Sequence, residues 1–218
     1  MIAYNLENIL KELPSGVKLV AVSKFHPMEA ILEAYQEGQR AFGENRPQEF
    51  AAKAVQLPPD IEWHFLGHLQ TNKLKLVLPY ASLVESIDTV HLLEAVNSWG
   101  EKNGKVIQVL IEVHIGAEET KQGFTPAEVK ELLSHASDYG SVEFRGLMGM
   151  ASHTDDEAAV RADFAIIKAL FDECRALYPG LASFDQLSIG MSGDWRLALD
   201  YGCTEVRIGT AIFGSRQY

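Results

Sequence analysis

Cysteine is scarce in this chain, with Cys174 and Cys203 the two present in 218 residues. They lie far apart and form no Cys-x-x-Cys pair, which excludes a zinc ribbon or a redox disulfide of that kind and leaves two buried thiols of a reducing compartment. Long apolar runs are missing as well. None approaches the roughly 20 residues that a membrane-spanning helix requires, and residues 1–13 carry Glu7 and Glu12 where a secretory leader needs a continuous apolar stretch. A cytoplasmic protein without leader or membrane span is expected. Positive charge is the minority sign, 19 Lys and Arg against 30 Asp and Glu, for a formal net charge of −11. Such a surface is unsuited to nucleic acid or an anionic membrane, so any phosphate must be gripped locally. Two glycine signatures are also absent. No Gly-x-Gly-x-x-Gly follows the first strand and no Gly-x-Ser-x-Gly occurs, which disfavours a dinucleotide fold and a serine hydrolase.

What is present is a regular alternation of strand-like and helix-like segments. The apolar run 17–24 reads as a buried strand, and Pro27 opens a helix that Gly38 ends. Further strands are expected at 40–42, 62–66, 82–86, 106–113, 144–148, 186–189 and 205–208. The run 106–113 is apolar on both faces, as in parallel strands covered by helices. Helices are expected between the strands, one capped by Asp88. Two more open with capping boxes, at Thr125-Pro126-Ala127-Glu128 and Thr154-Asp155-Asp156-Glu157. Eight strand–helix units without a composition break predict an α/β fold, a single-domain (β/α)8 TIM-type barrel over residues 1–218.

A barrel gathers the residues at its strand ends into one site. Lys24 closes the first strand at the rim, where a partly desolvated amine is a candidate Schiff-base former. Asn45 follows the second strand. After the seventh comes Gly190-Met191-Ser192-Gly193, a glycine-rich loop with a hydroxyl, and after the eighth Gly209-Thr210-Ala211. These neighbouring loops read as a phosphate grip, with Met191, Ser192, Gly209 and Thr210 as candidates. Arg207, inside the eighth strand, needs an acceptor. Either Glu85, Glu112 or Glu205 pairs with it, or an aromatic nitrogen of a bound cofactor does. A guanidinium facing a pyridine nitrogen would keep that nitrogen unprotonated and weaken the ring as an electron sink. His64 and His68 offer no third ligand at a fixed spacing, so no metal site is expected. His64, between Trp63 and Phe65, is expected to be hydrogen-bonded near the rim.

These stretches together resemble the pyridoxal-phosphate homeostasis protein family. The resemblance is carried by 19–24 (LVAVSK), 42–45 (FGEN), 64–73 (HFLGHLQTNK), 146–148 (GLM), 187–192 (LSIGMS) and 206–214 (VRIGTAIFG). It implies a barrel like the N-terminal domain of alanine racemase, with pyridoxal 5′-phosphate as cofactor in Schiff-base linkage to Lys24. Ser192, Gly209 and Thr210 would hold the phosphate, Arg207 would face the pyridine nitrogen and Asn45 would lie near the ring. It further implies a cytoplasmic, monomeric carrier or regulator of the vitamin B6 cofactor, with apo pyridoxal-phosphate enzymes as partners. Phe25-His26, Arg46-Pro47, His114 and Gly193 depart from the family pattern at the rim. Because the sequence stops at Tyr218, no second, racemase-type domain is expected, and the site is read as non-catalytic. A small pyridoxal-phosphate-dependent racemase, or a cofactor-free Schiff-base barrel of the aldolase kind, remain the competing readings.

Overall fold

Short β-branched and aliphatic runs separated by amphipathic segments fold here into one closed ring of strands. The computed structural model describes residues 1–116 and 122–214; Tyr218 lies outside the described residues. Eight parallel strands, β1 (Lys18–Val22), β2 (Ala41–Glu44), β3 (Glu62–Phe65), β4 (Ala81–Ile87), β5 (Ile107–Val113), β6 (Val142–Gly149), β7 (Gln186–Ser188) and β8 (Glu205–Ile208), pair in chain order. The ring closes where β8 returns to β1, with Lys18 opposite Glu205 and Ala21 opposite Ile208. The expected (β/α)8 barrel is the observed fold.

Helices cover the outside: α1 (Ile2–Glu12), α2 (Met28–Gln36), α3 (Pro47–Gln56), α4 (Leu74–Val77), α5 (Val90–Asn103), α6 (Pro126–Ser134), α7 (Glu157–Leu177), α8 (Trp195–Leu199) and α9 (Thr210–Phe213). No described helix is long and apolar enough to cross a membrane. The helix α1 was not anticipated, although Ile2, Leu6 and Ile9 recur at helical spacing and Leu6 and Ile9 are buried. The Thr125 capping box forms as read, with Thr125 Oγ1 accepting from the Glu128 N–H and Glu128 Oε2 accepting from the Thr125 N–H. Two caps differ. Asp156, not Thr154, caps α7 by accepting from the Ala158 N–H. Thr89, not Asp88, caps α5, because the Asp88 carboxylate is engaged by His68 Nδ1 at 2.8 Å.

Alternation along each strand divides the interior in two. Val84, Ile111, Leu147, Val206 and Ile208 join the apolar core beneath the helices. Their neighbours Leu83, Leu110 and Met148 form a separate apolar cluster that fills the lumen. Toward the strand ends the lumen becomes polar, with His64, Glu85, Glu112, Ser188 and Arg207 all buried, and Glu205 joins them from the start of β8. A packed barrel needs no such charge, so its placement marks the carboxyl end as the working end.

Candidate functional site

A cavity of about 1060 Å³ opens at the carboxyl ends of the strands. Lys24, Asn45, Met191, Ser192, Arg207, Gly209 and Thr210 all line it. Residues distant in sequence thus meet on one wall formed by β1, β2, β7 and β8 and the loops that follow them.

Lys24 sits two residues beyond β1, in a turn and not at the strand's last position, and is half-buried. The turn is held from below. Ser23 donates to Glu44 Oε1 at 2.6 Å, and the buried Lys53 ammonium donates to Glu44, to Glu49 and to the Ser23 carbonyl at 2.7, 2.7 and 2.9 Å. Glu49 in turn accepts the Phe25 N–H at 2.8 Å. Burial holds the Glu44 carboxyl above its usual range, against the pull of Lys53. This support was not read from the sequence. Its signal was an acid at 44 inside an apolar strand and a lysine at 53 on the buried face of a helix.

The loops after β7 and β8 interlock. The Gly190 carbonyl accepts the Arg207 N–H at 2.9 Å, and Gly190 reaches this turn with a φ of 93° that side chains disfavour. Beyond it, Ser192 Oγ accepts the Gly209 N–H at 3.2 Å and the Ala211 N–H at 3.4 Å. Two backbone donors therefore converge on one oxygen, the arrangement an anion's oxygen would satisfy. Asn45 adds a buried Oδ1 on the same cavity that has no hydrogen-bond partner among the described residues. Gly67 makes room for it, since a Cβ there would stand 2.2 Å from the Asn45 carbonyl oxygen.

Arg207 reaches across the lumen. One terminal nitrogen donates to Ser188 Oγ at 2.6 Å and the other to the Gly149 carbonyl at 2.8 Å, which uses two of its five N–H donors. Of its expected acidic partners, Glu85 is the nearest at 3.9 Å. Ser188 Oγ also lies 2.7 Å from Glu85 Oε2 and 2.9 Å from Glu205 Oε1. A hydroxyl has one proton, so it cannot donate to both carboxylates; the second contact requires a proton on a carboxyl. Glu205 carries it. Burial and the adjacent Glu85 charge push the Glu205 carboxyl up to about 8. Burial alone would raise Glu85 too, but the hydrogen bond and charge of His64, together with Arg207, bring it down to about 2. Burial lowers His64, yet Glu205 and Glu85 outweigh it and raise the imidazole above its ordinary value. His64 Nδ1 is 2.7 Å from Glu85 Oε1, inside the lumen and below the rim where the sequence placed it. The atoms of His64, Glu85 and Glu205 that could ligate a metal fall within 4.8 Å of one another. They are engaged in this proton-sharing cluster, beside a guanidinium that opposes a cation.

The far wall is different. Glu112 faces the cavity from β5, and burial with the nearby Asp88 charge pushes its carboxyl up to about 7. Chemically the cavity joins an amine, converging N–H donors, a guanidinium with unspent donors and an orphaned acceptor. That set suits a ligand bearing a phosphate at one end and an electrophilic carbonyl at the other.

The family model described as the alanine racemase N-terminal domain matches residues 1–217. A pyridoxal phosphate homeostasis protein of Vibrio alginolyticus is 40% identical over 232 residues, covering 100% of this chain and 98% of the relative. The solved structure of PipY of Synechococcus elongatus without pyridoxal phosphate superposes with a TM-score of 0.93 at 38% identity, covering 98% of this chain and 100% of that one. PipY with pyridoxal phosphate bound gives 0.89 at 36% identity, with the same coverage.

Proposed function

This chain belongs to the pyridoxal phosphate homeostasis protein family, built on the alanine racemase N-terminal domain, and from that premise we propose that it binds pyridoxal 5′-phosphate in the strand-end cavity as a cytoplasmic carrier or regulator of the cofactor. The observation that supports this most is the convergence of the Gly209 and Ala211 N–H groups on one oxygen, on the same cavity wall as Lys24. The orphaned Asn45 Oδ1 and the unspent Arg207 donors fit the rest of such a ligand.

When bound, the cofactor supplies an aldehyde that an amine captures reversibly and an aromatic ring that can draw electrons. Lys24 provides the amine, on a turn fixed by Glu49 and Lys53. Ser192, Gly209 and Thr210 hold the phosphate through a hydroxyl and backbone N–H groups, which a protein of net charge −11 needs in place of a broad basic surface. Met191, exposed in the loop after β7, lines the mouth of the same cavity. Arg207 presents N–H donors to the ring nitrogen and, being permanently charged, keeps that nitrogen unprotonated. Ser188 and the Gly149 carbonyl, with Glu85 3.9 Å away, fix the guanidinium so that this donor direction is preserved.

A ring with an unprotonated nitrogen is a weak electron sink, which favours holding the cofactor over turning over amino acids. Apo pyridoxal-phosphate enzymes are the recipients this reading implies, with the chain acting as a monomer. Equilibrium dialysis with pyridoxal 5′-phosphate, followed by incubation of the loaded protein with L- and D-alanine, tests both halves. Stoichiometric retention with unchanged enantiomers is expected. Failure to retain the cofactor contradicts binding, and racemisation contradicts the carrier role.

A further inference from the structure

In a ring of eight strands paired in order, β5 stands diametrically opposite β1. Glu112 on β5 therefore faces Lys24 across the mouth. Its residue is 5% exposed, it lines the cavity, and its carboxylate makes no hydrogen bond or ion pair among the described residues. Its oxygens open on the cavity, so a hydrogen-bond partner for them comes from the cavity side. Arg207 and His68 favour the carboxylate by their charge but make no hydrogen bond or ion pair with it, and burial with the Asp88 charge outweighs them. Asp88, after β4, is engaged by His68 Nδ1 at 2.8 Å, and Arg207 on β8 donates to Ser188 and Gly149. His153, Asp155 and Glu157, between β6 and α7, line the same cavity. At about 1060 Å³ the space matches or exceeds the roughly 300–1000 Å³ of ordinary small-ligand pockets. It has room for a second small group beyond whatever the β7–β8 loops hold.

We propose that Glu112, reinforced by the negative charge of Asp88, is the docking point for the ammonium group of a small aliphatic amine on the cavity wall opposite Lys24. An ammonium supplies what Arg207 and His68 do not, N–H donors in contact with the carboxylate, and it takes the place of the proton that otherwise neutralises the acid. Asp88 favours the same cation. Carboxylate ligands are repelled from this wall, so it discriminates amines from small acids. The site depends on the cavity's geometry alone and not on the cofactor at the opposite wall.

Calorimetric titration of the full chain with propylamine, N,N-dimethylpropylamine and propionate at pH 8 and pH 6 tests the assignment. The dimethyl amine cannot condense with a carbonyl, so its binding reports ionic docking whether or not the cofactor reading holds. Both amines should bind at pH 8, and about tenfold more weakly at pH 6, as the carboxylate with its midpoint near 7 takes up a proton. Glu112→Gln, which preserves the side chain's shape, should weaken both amines at least tenfold and abolish the pH dependence, and Asp88→Asn should weaken them less. Absence of amine binding at pH 8, equal binding by Glu112→Gln, or propionate binding at pH 8 as tight as that of the amines would overturn it.

Discussion

Glu49 Oε1 accepts the backbone N–H of Phe25 at 2.8 Å, one residue beyond Lys24. Phe25 adopts a φ of 67°, a left-handed conformation that costs a bulky side chain on the order of 1–3 kcal/mol. The surroundings hold it there. Glu49 is itself fixed by Lys53 at 2.7 Å, and the Arg46 guanidinium lies 4.4 Å from the centre of the Phe25 ring. The strained turn sets the point from which Lys24 enters the cavity.

Replacing Glu49 should therefore act on Lys24 without touching it. Glu49→Ala removes the acceptor for Phe25 and one of two carboxylates on the buried Lys53, and about 1–3 kcal/mol of stability should be lost. Capture of pyridoxal phosphate should slow in stopped-flow absorbance, and Glu49→Gln should recover part of the rate. Wild-type stability in urea and wild-type capture for Glu49→Ala would contradict this.

Ser192 stands where the Gly209 and Ala211 N–H groups point. Ser192→Ala removes one hydroxyl from the phosphate grip but leaves the backbone donors. A hydrogen bond to a charged group contributes about 1.5–3 kcal/mol, so cofactor affinity should fall roughly ten- to hundredfold by equilibrium dialysis. The thermal midpoint should move little, because Ser192 is part-exposed.

Gly67 is a steric determinant of the Asn45 position. A Cβ there would stand 2.2 Å from the Asn45 carbonyl oxygen, and backbone cannot yield as a side chain does. Gly67→Ala should cost about 1–3 kcal/mol in urea unfolding and weaken cofactor retention together. Gly16→Ala controls for the substitution itself: its Cβ meets no atom within 4 Å, but its φ of 93° carries the backbone penalty alone.

The lumen carboxyls give stability a defined pH dependence. Glu205 rises from 4.5 to about 8 in the folded state, so its contribution is full below about 4.5 and is lost as pH climbs through 8. His64 and Glu112, also raised, act in the same direction. Glu85 is lowered from 4.5 to about 2, and its contribution is lost as pH falls through that range. Urea midpoints should decline from pH 6 to pH 9, and Glu205→Gln should flatten that decline while leaving the acid limb. An unchanged alkaline slope in Glu205→Gln would place the proton elsewhere.

The barrel was legible because its evidence is local and repeated: apolar runs, capping residues and glycine turns recur at strand–helix intervals. The candidate site was legible through the barrel, since the ends of parallel strands converge and bring Lys24, Arg207, Ser192 and Gly209 to one cavity. What escaped depends on contacts between residues far apart in sequence. Asp88 looked like a helix cap because a cap is read from its own neighbours, whereas His68 arrives from the loop after β3. Ser188 could not be seen joining Glu85, Glu205 and Arg207 until the lumen brought three strands together. Phe25 gives no sign of positive φ in the sequence, because a bulky residue takes it only when tertiary contacts such as that of Glu49 impose it.

The central claim is that Lys24 holds pyridoxal 5′-phosphate covalently. Its most direct test is borohydride reduction of the cofactor-loaded protein, followed by proteolysis and mass spectrometry. The account predicts a single phosphopyridoxyl adduct on Lys24, and neither adduct nor the associated visible absorption in Lys24→Ala. An adduct on another lysine, or a Lys24→Ala protein that keeps the absorption band, would contradict it.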